Sequence, residues 1–321
     1  MKHRVLIIGL GRIGMGYDLE LNQDQYVLSH ARAFSLHNDF ELVGGVDLDP
    51  IRCQQFNDRY GCKTFNSVRS AVKEASPSLV VVATPTDSHY TIIKEIISLI
   101  APSTILCEKP IAFDIEHARE IVQTCRRNNC HLFVNYMRSS DVGVGEIKKR
   151  FNDGTIQTPV NGMVWYSGGL LNSASHLVNL CQRLLGDVIA TQIVDKGINY
   201  LSKDPDPDFK VRFKTGEINF LALRDQAYFH NTIELLAKNG RLRYEYGGEE
   251  IVWQASSTNK VFSGYTMLMH EYEKFRSDFF RIQWHVADQL SNFLSGKIAD
   301  ICDGNDALIT LEVLAGIKSK M

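Results

Sequence analysis

The chain has 321 residues, of which 44% are apolar and 22% are charged, and its formal net charge at pH 7 is −2. This balance is typical of a globular protein and excludes the disordered and fibrous classes. Because the chain lacks the excess of basic residues that neutralises phosphates, nucleic acid is not an expected partner. The length predicts two domains, each with a core of its own.

Seven cysteines, an odd number without a C-x-x-C pair, indicate neither a disulfide framework nor a zinc site. We therefore expect reduced thiols and no bound metal. No stretch approaches the roughly 18 uncharged apolar residues that a membrane span requires. The apolar run after the basic start is interrupted by Gly9 and Gly11, unlike that of a signal peptide. These features predict a cytoplasmic protein without membrane contact.

Residues 1–136 alternate short β-branched runs with longer amphipathic segments, the pattern of a parallel sheet with crossover helices. The predicted strands are Arg4–Gly9, Glu41–Asp47, Leu79–Ala83, Thr104–Glu108 and His131–Tyr136. The predicted helices between them include Ile51–Tyr60, His89–Ile100 and Ile115–Asn128. We predict an α/β protein whose residues 1–136 form a Rossmann domain.

Residues 137–321 show a different pattern, in which alternating strands follow one another without intervening helices. The predicted strands are Met163–Tyr166, Phe209–Phe213, Ile218–Leu223, Thr232–Ala237 and Arg241–Tyr246. Such a run predicts a mostly antiparallel sheet in a separate α/β domain. Two helical patterns, His285–Leu294 and Ala307–Lys318, close the chain, and their packing back onto the first domain is left open.

A glycine motif, Gly9-Leu10-Gly11-Arg12-Ile13-Gly14, directly follows the first predicted strand. Glycines in this position permit a tight strand-to-helix turn, close approach of the backbone to a pyrophosphate, and close helix packing. An ordinary glycine-rich turn is the alternative. Asp47 ends the second predicted strand, where a carboxylate binds ribose hydroxyls and repels a 2′-phosphate, unless it is an ordinary turn aspartate. The pattern predicts NAD, and Arg52 nearby keeps NADP open.

The interval between the glycines and Asp47 exceeds the usual roughly 20 residues, which we attribute to an insertion at Tyr17–Ser29. The polarity of this segment argues against a place in the core. We expect either a lid over the cofactor or the cleft, or a solvated surface loop.

Two further motifs close predicted strands: Ala83-Thr84-Pro85-Thr86-Asp87-Ser88-His89 and Cys107-Glu108-Lys109-Pro110. Together with the glycine motif they resemble the glucose-fructose oxidoreductase, inositol dehydrogenase and rhizopine catabolism (Gfo/Idh/MocA) family. The resemblance implies a Rossmann domain followed by an open-faced sheet that binds substrate and forms a homodimer or homotetramer. The residues that it places at the cofactor are Gly9, Gly11, Arg12, Ile13, Gly14, Asp47, Thr84, Pro85, Thr86, His89, Glu108 and Lys109.

The family's usual Asp-x-Gly-x-His-x-x-Asp motif corresponds to a segment in which His176 matches, while Asn172, Ala174 and Asn179 depart. Lys109 and His176 are the predicted catalytic residues. Lys109 ends a strand and could polarise a carbonyl, and His176 in the first turn of a helix favours the neutral imidazole that accepts a proton. A solvated lysine and a core or capping histidine are the alternatives. Asn172 either binds sugar hydroxyls or caps the helix.

The candidate substrate-binding residues are polar and suit a polyhydroxylated or anionic molecule, although each could instead make structural hydrogen bonds. They are Lys109, Asn135, Arg138, Tyr166, Asn172 and His176. We predict an NAD-dependent oxidoreductase that transfers hydride to or from a carbon of a sugar, sugar acid, inositol or nucleotide sugar. A non-catalytic dinucleotide-binding sensor is the main alternative, since the family aspartate is missing. A reductase of aromatic or pyrrole substrates would need a more apolar site.

Overall fold

The computed structural model describes residues 2–198, 201–224 and 227–321, which form two compact units. The first contains the chain up to Ser140 together with Phe280–Ile309, and the second contains Asp141–Phe279 and Thr310–Met321. The division after Ser140 differs slightly from the predicted boundary after residue 136. The sequence left open whether the two C-terminal helical patterns join the first domain: the predicted helix His285–Leu294 does so, whereas most of the predicted helix Ala307–Lys318 belongs to the second unit. Apolar residues of Phe280–Ile309, Val286, Ala287 and Leu290 among them, complete the core of the first unit.

The elements follow one another in chain order. The strands are β1 (His3–Ile8), β2 (Phe40–Val46), β3 (Thr64–Phe65), β4 (Leu79–Val82), β5 (Thr104–Cys107), β6 (His131–Val134), β7 (Val160–Tyr166), β8 (Val188–Asp195), β9 (Asp208–Phe213), β10 (Gly216–Ala222), β11 (Thr232–Ala237), β12 (Gly240–Glu245), β13 (Glu250–Thr258), β14 (Thr266–Leu268) and β15 (Glu273–Phe275). The helices are α1 (His30–Leu36), α2 (Pro50–Tyr60), α3 (Val68–Ala75), α4 (Thr86–Leu99), α5 (Ile115–Arg127), α6 (Val142–Asn152), α7 (Ser175–Leu185), α8 (Ile282–Leu294) and α9 (Gly304–Lys318).

A parallel sheet in the order β3-β2-β1-β4-β5-β6 forms the first unit and confirms the predicted Rossmann fold. Its central strands β4 and β5 are buried along their whole length, as expected for strands covered by helices on both faces. From β1, the strands β2 and β3 are added on one side of the sheet and β4, β5 and β6 on the other, so the strand order reverses between β1 and β4. Open α/β sheets bind ligands in the crevice at this switch point, beyond the carboxyl ends of the strands.

The sheet of the second unit has the order β14-β13-β12-β11-β7-β10-β9-β8, with β15 paired to β13. Strands β7 and β10 run parallel, and the other pairings among the described residues are antiparallel, so the mostly antiparallel prediction is confirmed. Along β7, buried Val164 and Tyr166 alternate with half-exposed Met163 and Trp165. One face of the sheet is therefore packed and the other is open within this unit.

The inserted segment Tyr17–Ser29 is built around a buried carboxylate. Asp18 is fully buried and accepts hydrogen bonds from the backbone amides of Leu28 (2.6 Å) and Ser29 (2.9 Å) and from the Ser29 hydroxyl (2.6 Å). The guanidinium of Arg32, also buried, lies 3.6 Å from the same carboxylate. The expectation that polarity keeps this segment out of the core is thus wrong for Asp18 and Ser29, because their polar atoms satisfy one another.

The guanidinium of Arg32 also donates to carbonyl groups of the inserted segment, those of Leu21 (2.9 Å) and Tyr26 (3.0 Å) and that of Asp18. Helix α1 then starts where the insertion returns to the glycine motif. The amides of His30 and Ala31 donate to the carbonyls of Ile13 (3.0 Å) and Gly14 (2.9 Å). The insertion therefore lies between the glycine turn and the helix. Backbone hydrogen bonds join the residues that precede it to the residues that follow it.

No helix in the described parts of the chain is both long enough and apolar enough to cross a membrane. All seven cysteines are free thiols, and five of them are buried.

Replacing Asp18 with alanine is expected to lower the free energy of unfolding by about 3 to 5 kcal/mol, because the buried Arg32 guanidinium loses its counter-ion. Chemical denaturation of the purified variant measures this change. Asp24→Ala, at an exposed position of the same segment, is the matched control and should unfold at the wild-type denaturant concentration. Equal stability of the two variants would show that the buried pair does not hold the segment.

Candidate active site

The three glycines of the motif have different surroundings. A Cβ on Gly9 would lie 2.6 Å from the Ala83 carbonyl oxygen at the end of β4, and a Cβ on Gly14 would lie 2.0 Å from the carbonyl oxygen of Gly9. Both positions therefore exclude any side chain. A Cβ on Gly11 would meet no protein atom within 4 Å. Close packing thus surrounds the first and third glycines, and the second faces open space where a ligand can approach the backbone.

A cleft of about 1030 Å³ opens over this turn. It is lined by residues that follow β1, β2 and β4, including Gly9, Gly11, Asp47, Arg52, Thr84 and Pro85. Its volume is at the upper end of the range for small-molecule sites, about 300–1,000 Å³. Several predicted cofactor residues are not among the described residues that line it: Arg12, Ile13, Gly14, Thr86, His89, Glu108 and Lys109.

Asp47 lies at the end of β2 with its side chain only 10% exposed. Its carboxylate accepts hydrogen bonds from the backbone amides of Leu10 (2.7 Å) and Asp49 (2.9 Å), and the first of these links β2 to the glycine turn. The guanidinium of Arg52, half exposed, lies 3.7 Å from the same carboxylate. A negative and a positive group therefore share this end of the cleft, where sequence reasoning placed the adenosine ribose.

His89 does not face the cleft, contrary to its predicted contact with the cofactor. The side chain is fully buried in α4. Its Nε2 lies 2.9 Å from the Thr84 carbonyl oxygen, and its Nδ1 lies 3.1 Å from that of Pro110. His89 therefore connects the loops after β4 and β5, and the loops, not the imidazole, are available to a ligand.

Glu108, directly before Lys109, has an almost buried side chain after β5. Its Oε1 accepts hydrogen bonds from His30 Nε2 (2.8 Å) and Asn135 Nδ2 (2.6 Å). Burial raises the pKa of Glu108, but the hydrogen bond and charge of His30, the hydrogen bond from Asn135 and the charge of Lys109 together bring it below its ordinary value. An ionised carboxylate therefore stands beside Lys109 at the carboxyl edge of the sheet.

In the second unit, the segment before His176 forms a π-helical turn, Leu170–Ala174, that leads directly into α7. Single π-helical turns occur frequently at functional sites. Gly169 precedes the turn with a φ of 93°, and a Cβ there would lie 2.4 Å from an Asp204 oxygen. Asp204 accepts hydrogen bonds from the amides of Leu171 (2.6 Å) and Asn172 (3.0 Å). A carboxylate from a distant segment thus caps this helical start.

This geometry corrects two expectations about the motif. His176 is the second residue of α7, but the helical segment begins one turn earlier, so its positive end is at the Asp204 carboxylate and not at the imidazole. Asn172 does not cap the helix. It lies inside the π-helical turn with an exposed side chain whose amide donates to the Gly168 carbonyl (3.3 Å).

Tyr166 is fully buried, and its hydroxyl donates to the carbonyl oxygen of Pro207. Burial and the nearby Asp208 carboxylate raise the pKa of this hydroxyl. The hydroxyl is therefore already bound to the backbone, while the residue also lines a cavity of about 300 Å³ with Gly168 and Gly169, and its role in substrate binding stays a prediction. Arg138 belongs to the first unit, in a 3-10 turn after β6, and is 8% exposed.

Three residues that sequence reasoning missed hold the predicted ones in place: Asp18, His30 and Asp204. The sequence contained a weak indication of the position of His30. Serine is a favourable N-cap residue, and α1 does begin directly after Ser29. Asp204 belongs to an Asp-Pro-Asp-Pro-Asp run that could equally have been a solvated turn. Their partners lie far away in sequence, which local patterns do not reveal.

Comparison with known proteins agrees with this geometry. Residues 3–136 match the family model GFO_IDH_MocA, described as an oxidoreductase family with an NAD-binding Rossmann fold. An inositol 2-dehydrogenase from Rhizobium meliloti is 27% identical over 220 residues, which cover 62% of this chain and 61% of that protein. The match therefore spans about three fifths of the relative.

Solved structures share the fold along the whole chain. The WlbA dehydrogenase from Bordetella pertussis, in complex with NADH and UDP-GlcNAcA, is 19% identical with a TM-score of 0.72 and covers 99% of this chain and 95% of its own. An NAD-binding oxidoreductase from Klebsiella pneumoniae is 17% identical with a TM-score of 0.79, and the match covers 100% and 96% of the two chains. The glycine turn, the Glu-Lys-Pro motif and these matches show that residues 3–136 form an NAD-binding Rossmann domain similar to that of the Gfo/Idh/MocA oxidoreductases.

Proposed function

We propose that this protein is an NAD-dependent dehydrogenase or reductase acting on a CH–OH or carbonyl carbon of a sugar, sugar acid, inositol or nucleotide sugar. The observation that carries the proposal is the cleft at the switch point of the first sheet, where Gly11 leaves the backbone accessible and Asp47 stands at one end. The name of the related inositol 2-dehydrogenase supports a polyhydroxylated substrate.

When bound, the nicotinamide accepts or supplies the hydride. Gly11 and the loop at Thr84 and Pro85 would hold the cofactor, and Asp47 would accept hydrogen bonds from its ribose hydroxyls. Lys109 carries a positive charge beside the Glu108 carboxylate, and we assign it to the substrate oxygen, where an ammonium stabilises a developing alkoxide. We assign the hydroxyl proton to His176 as general base, with Asn172 and Asn135 as hydrogen-bond partners of substrate hydroxyls.

A non-catalytic dinucleotide sensor is the second candidate, favoured by Asn172 in the place of the family's usual aspartate. An amide cannot take up a proton, so we assign the proposed catalysis to Lys109 and His176. Turnover measurements on variants of these two residues therefore separate an enzyme from a sensor.

Cofactor preference depends on Asp47 in this proposal. Charge repulsion should disfavour NADP(H) relative to NAD(H) by at least about tenfold, roughly 1.4 kcal/mol. Titration calorimetry with both cofactors at physiological salt measures the ratio. Asp47→Ala should narrow it, because Arg52 remains beside the site, whereas Asp58→Ala, exposed on α2, should not. Tighter binding of NADP(H) by the wild-type protein would contradict the assignment.

We expect kcat to fall about 10²- to 10⁴-fold in Lys109→Ala and in His176→Ala, because this is the usual contribution of an acid or base group to the rate. Steady-state assays of NADH formation against a panel of sugars, inositols and nucleotide sugars provide the measurement. Lys73→Ala, exposed in α3, is the control. Wild-type turnover by Lys109→Ala would remove this residue from the mechanism and favour the sensor.

We also propose self-association, as homodimer or homotetramer, through the open face of the second sheet. Half-exposed Met163 and Trp165 on β7 lie on the same face as exposed Leu236 on β11, because Leu236 pairs with Asn161, two residues from Met163. Apolar side chains grouped on one exposed face are typical of protein interfaces.

Replacing both Trp165 and Leu236 with glutamate should therefore convert the assembly to monomers, since two buried charges would oppose association. Light scattering coupled to gel filtration gives the mass. Ile298→Glu, at a 99% exposed site in the first unit, should keep the wild-type mass. A wild-type monomer at micromolar concentration would end this proposal.

A further inference from the structure

We propose that His30 is a positioning residue for Glu108, and that the inserted segment Tyr17–Ser29 serves to place this histidine at the nicotinamide half of the cofactor site. The inference rests on the proposed function and adds a role for a residue outside the motifs that the sequence analysis singled out. It is carried by the hydrogen bonds around Glu108, by two buried polar atoms without partners, and by the anchoring of the insertion.

The location follows from the order of the strands. Asp47 ends β2, the glycine turn follows β1, and Glu108 follows β5, so the sheet runs from Asp47 across β1 and β4 to Glu108. Three strand intervals of about 4.8 Å separate β2 from β5 by about 14 Å. A dinucleotide with its adenosine at Asp47 and its pyrophosphate at Gly11 extends toward Glu108. The nicotinamide riboside end therefore falls on the side of Glu108 and Asn135.

The chemistry of the cluster fits this end of the ligand. His30 and Asn135 are 1% and 3% exposed, and both donate to the same oxygen of Glu108. Among the residues that the structure describes, no partner lies within hydrogen-bonding distance of His30 Nδ1 or Asn135 Oδ1. With Nε2 donating to the carboxylate, Nδ1 is the ring nitrogen left for a further partner. Two buried polar atoms without partners require a ligand or water that can form hydrogen bonds to them.

The insertion fixes His30 from the side of the backbone. Asp18 binds the amide and hydroxyl of Ser29, the N-cap of α1, and the amide of His30 is bound to the carbonyl of Ile13. The same segment also reaches the far side of the cluster. Val27 exchanges backbone hydrogen bonds with Phe280 (2.8 Å) and Gln283 (3.2 Å), and Gln283 Oε1 lies 3.4 Å from Asn135 Nδ2. Both ends of the cluster are therefore held by one inserted segment.

A second buried histidine provides the matched control. His37 follows the other end of α1, is 8% exposed, and lies 3.6 Å from the carboxylate of Asp288 and 4.0 Å from that of Asp39. Both histidines therefore pair with carboxylates at opposite ends of one short helix. Loss of either should affect stability, and only loss of His30 should affect the ligand.

The experiment measures the affinities of NADH, ADP-ribose and ADP by titration calorimetry for the wild-type protein and for His30→Ala, His30→Gln and His37→Ala. We expect His30→Ala to weaken NADH binding about tenfold, the effect of one hydrogen bond to a charged group, and to leave ADP binding within twofold of wild type. His30→Gln, whose amide can donate to Glu108, should restore most of the NADH affinity. His37→Ala should match wild type for all three ligands.

A double-mutant cycle with Glu108→Gln tests whether His30 acts through this carboxylate. If it does, His30→Ala should have little further effect on NADH affinity in the Glu108→Gln background. Additive losses, equal weakening of ADP and NADH, or unchanged NADH affinity in His30→Ala would each overturn the inference while the proposed function stands. A wild-type protein that binds ADP but neither NADH nor NADPH would overturn the proposed function and, with it, this inference.

Discussion

The absence of a side chain at residue 9 sets the geometry on which the cofactor cleft depends. Its α-carbon approaches the end of β4 so closely that a single methyl group would overlap the Ala83 carbonyl. Because β1 and β4 meet in this way at the point where the strand order reverses, the loops after both strands open onto one crevice. Asp47, at the end of β2, accepts a hydrogen bond from the amide of Leu10 and so connects β2 to the same edge. The site is therefore a product of backbone packing before any ligand binds.

Buried charged side chains are the second organising feature, and Asp18, Arg32 and Glu108 have hydrogen-bond or ion-pair partners. Asp18 of the inserted segment and Arg32 of α1 are buried side by side, and each also forms hydrogen bonds with backbone groups. Glu108 is held in its ionised form by two donors from different elements. Such groups are costly to bury unless their geometry is fixed. The polar inserted segment can consequently fold against the Rossmann core and position His30 beside Glu108 at the carboxyl edge of the sheet.

The second unit shows how a departure from the family motif coexists with an ordered site. Asparagine at position 172 leaves the π-helical turn without a carboxylate of its own, and Asp204 supplies one to the backbone amides at the start of that turn. This carboxylate organises the turn before His176, and its hydrogen bonds to two amides suit a structural role more than proton transfer. The chemistry we assign to this unit therefore centres on the imidazole.

The sequence by itself determined the fold class and the cofactor class, because each depends on local chemistry. Runs such as Leu79–Ala83 are apolar on both faces, and Gly9, Gly11 and Gly14 follow the first strand directly in a spacing that the sequence itself displays. Only the tertiary structure decided which side chains face the cleft. His89 and Tyr166 were predicted to contact ligands yet are buried, whereas His30 lies outside the motifs quoted above and binds Glu108. Their surroundings come from segments far apart in the chain, which periodicity and spacing do not encode, and the same holds for the return of Phe280–Ile309 to the first core.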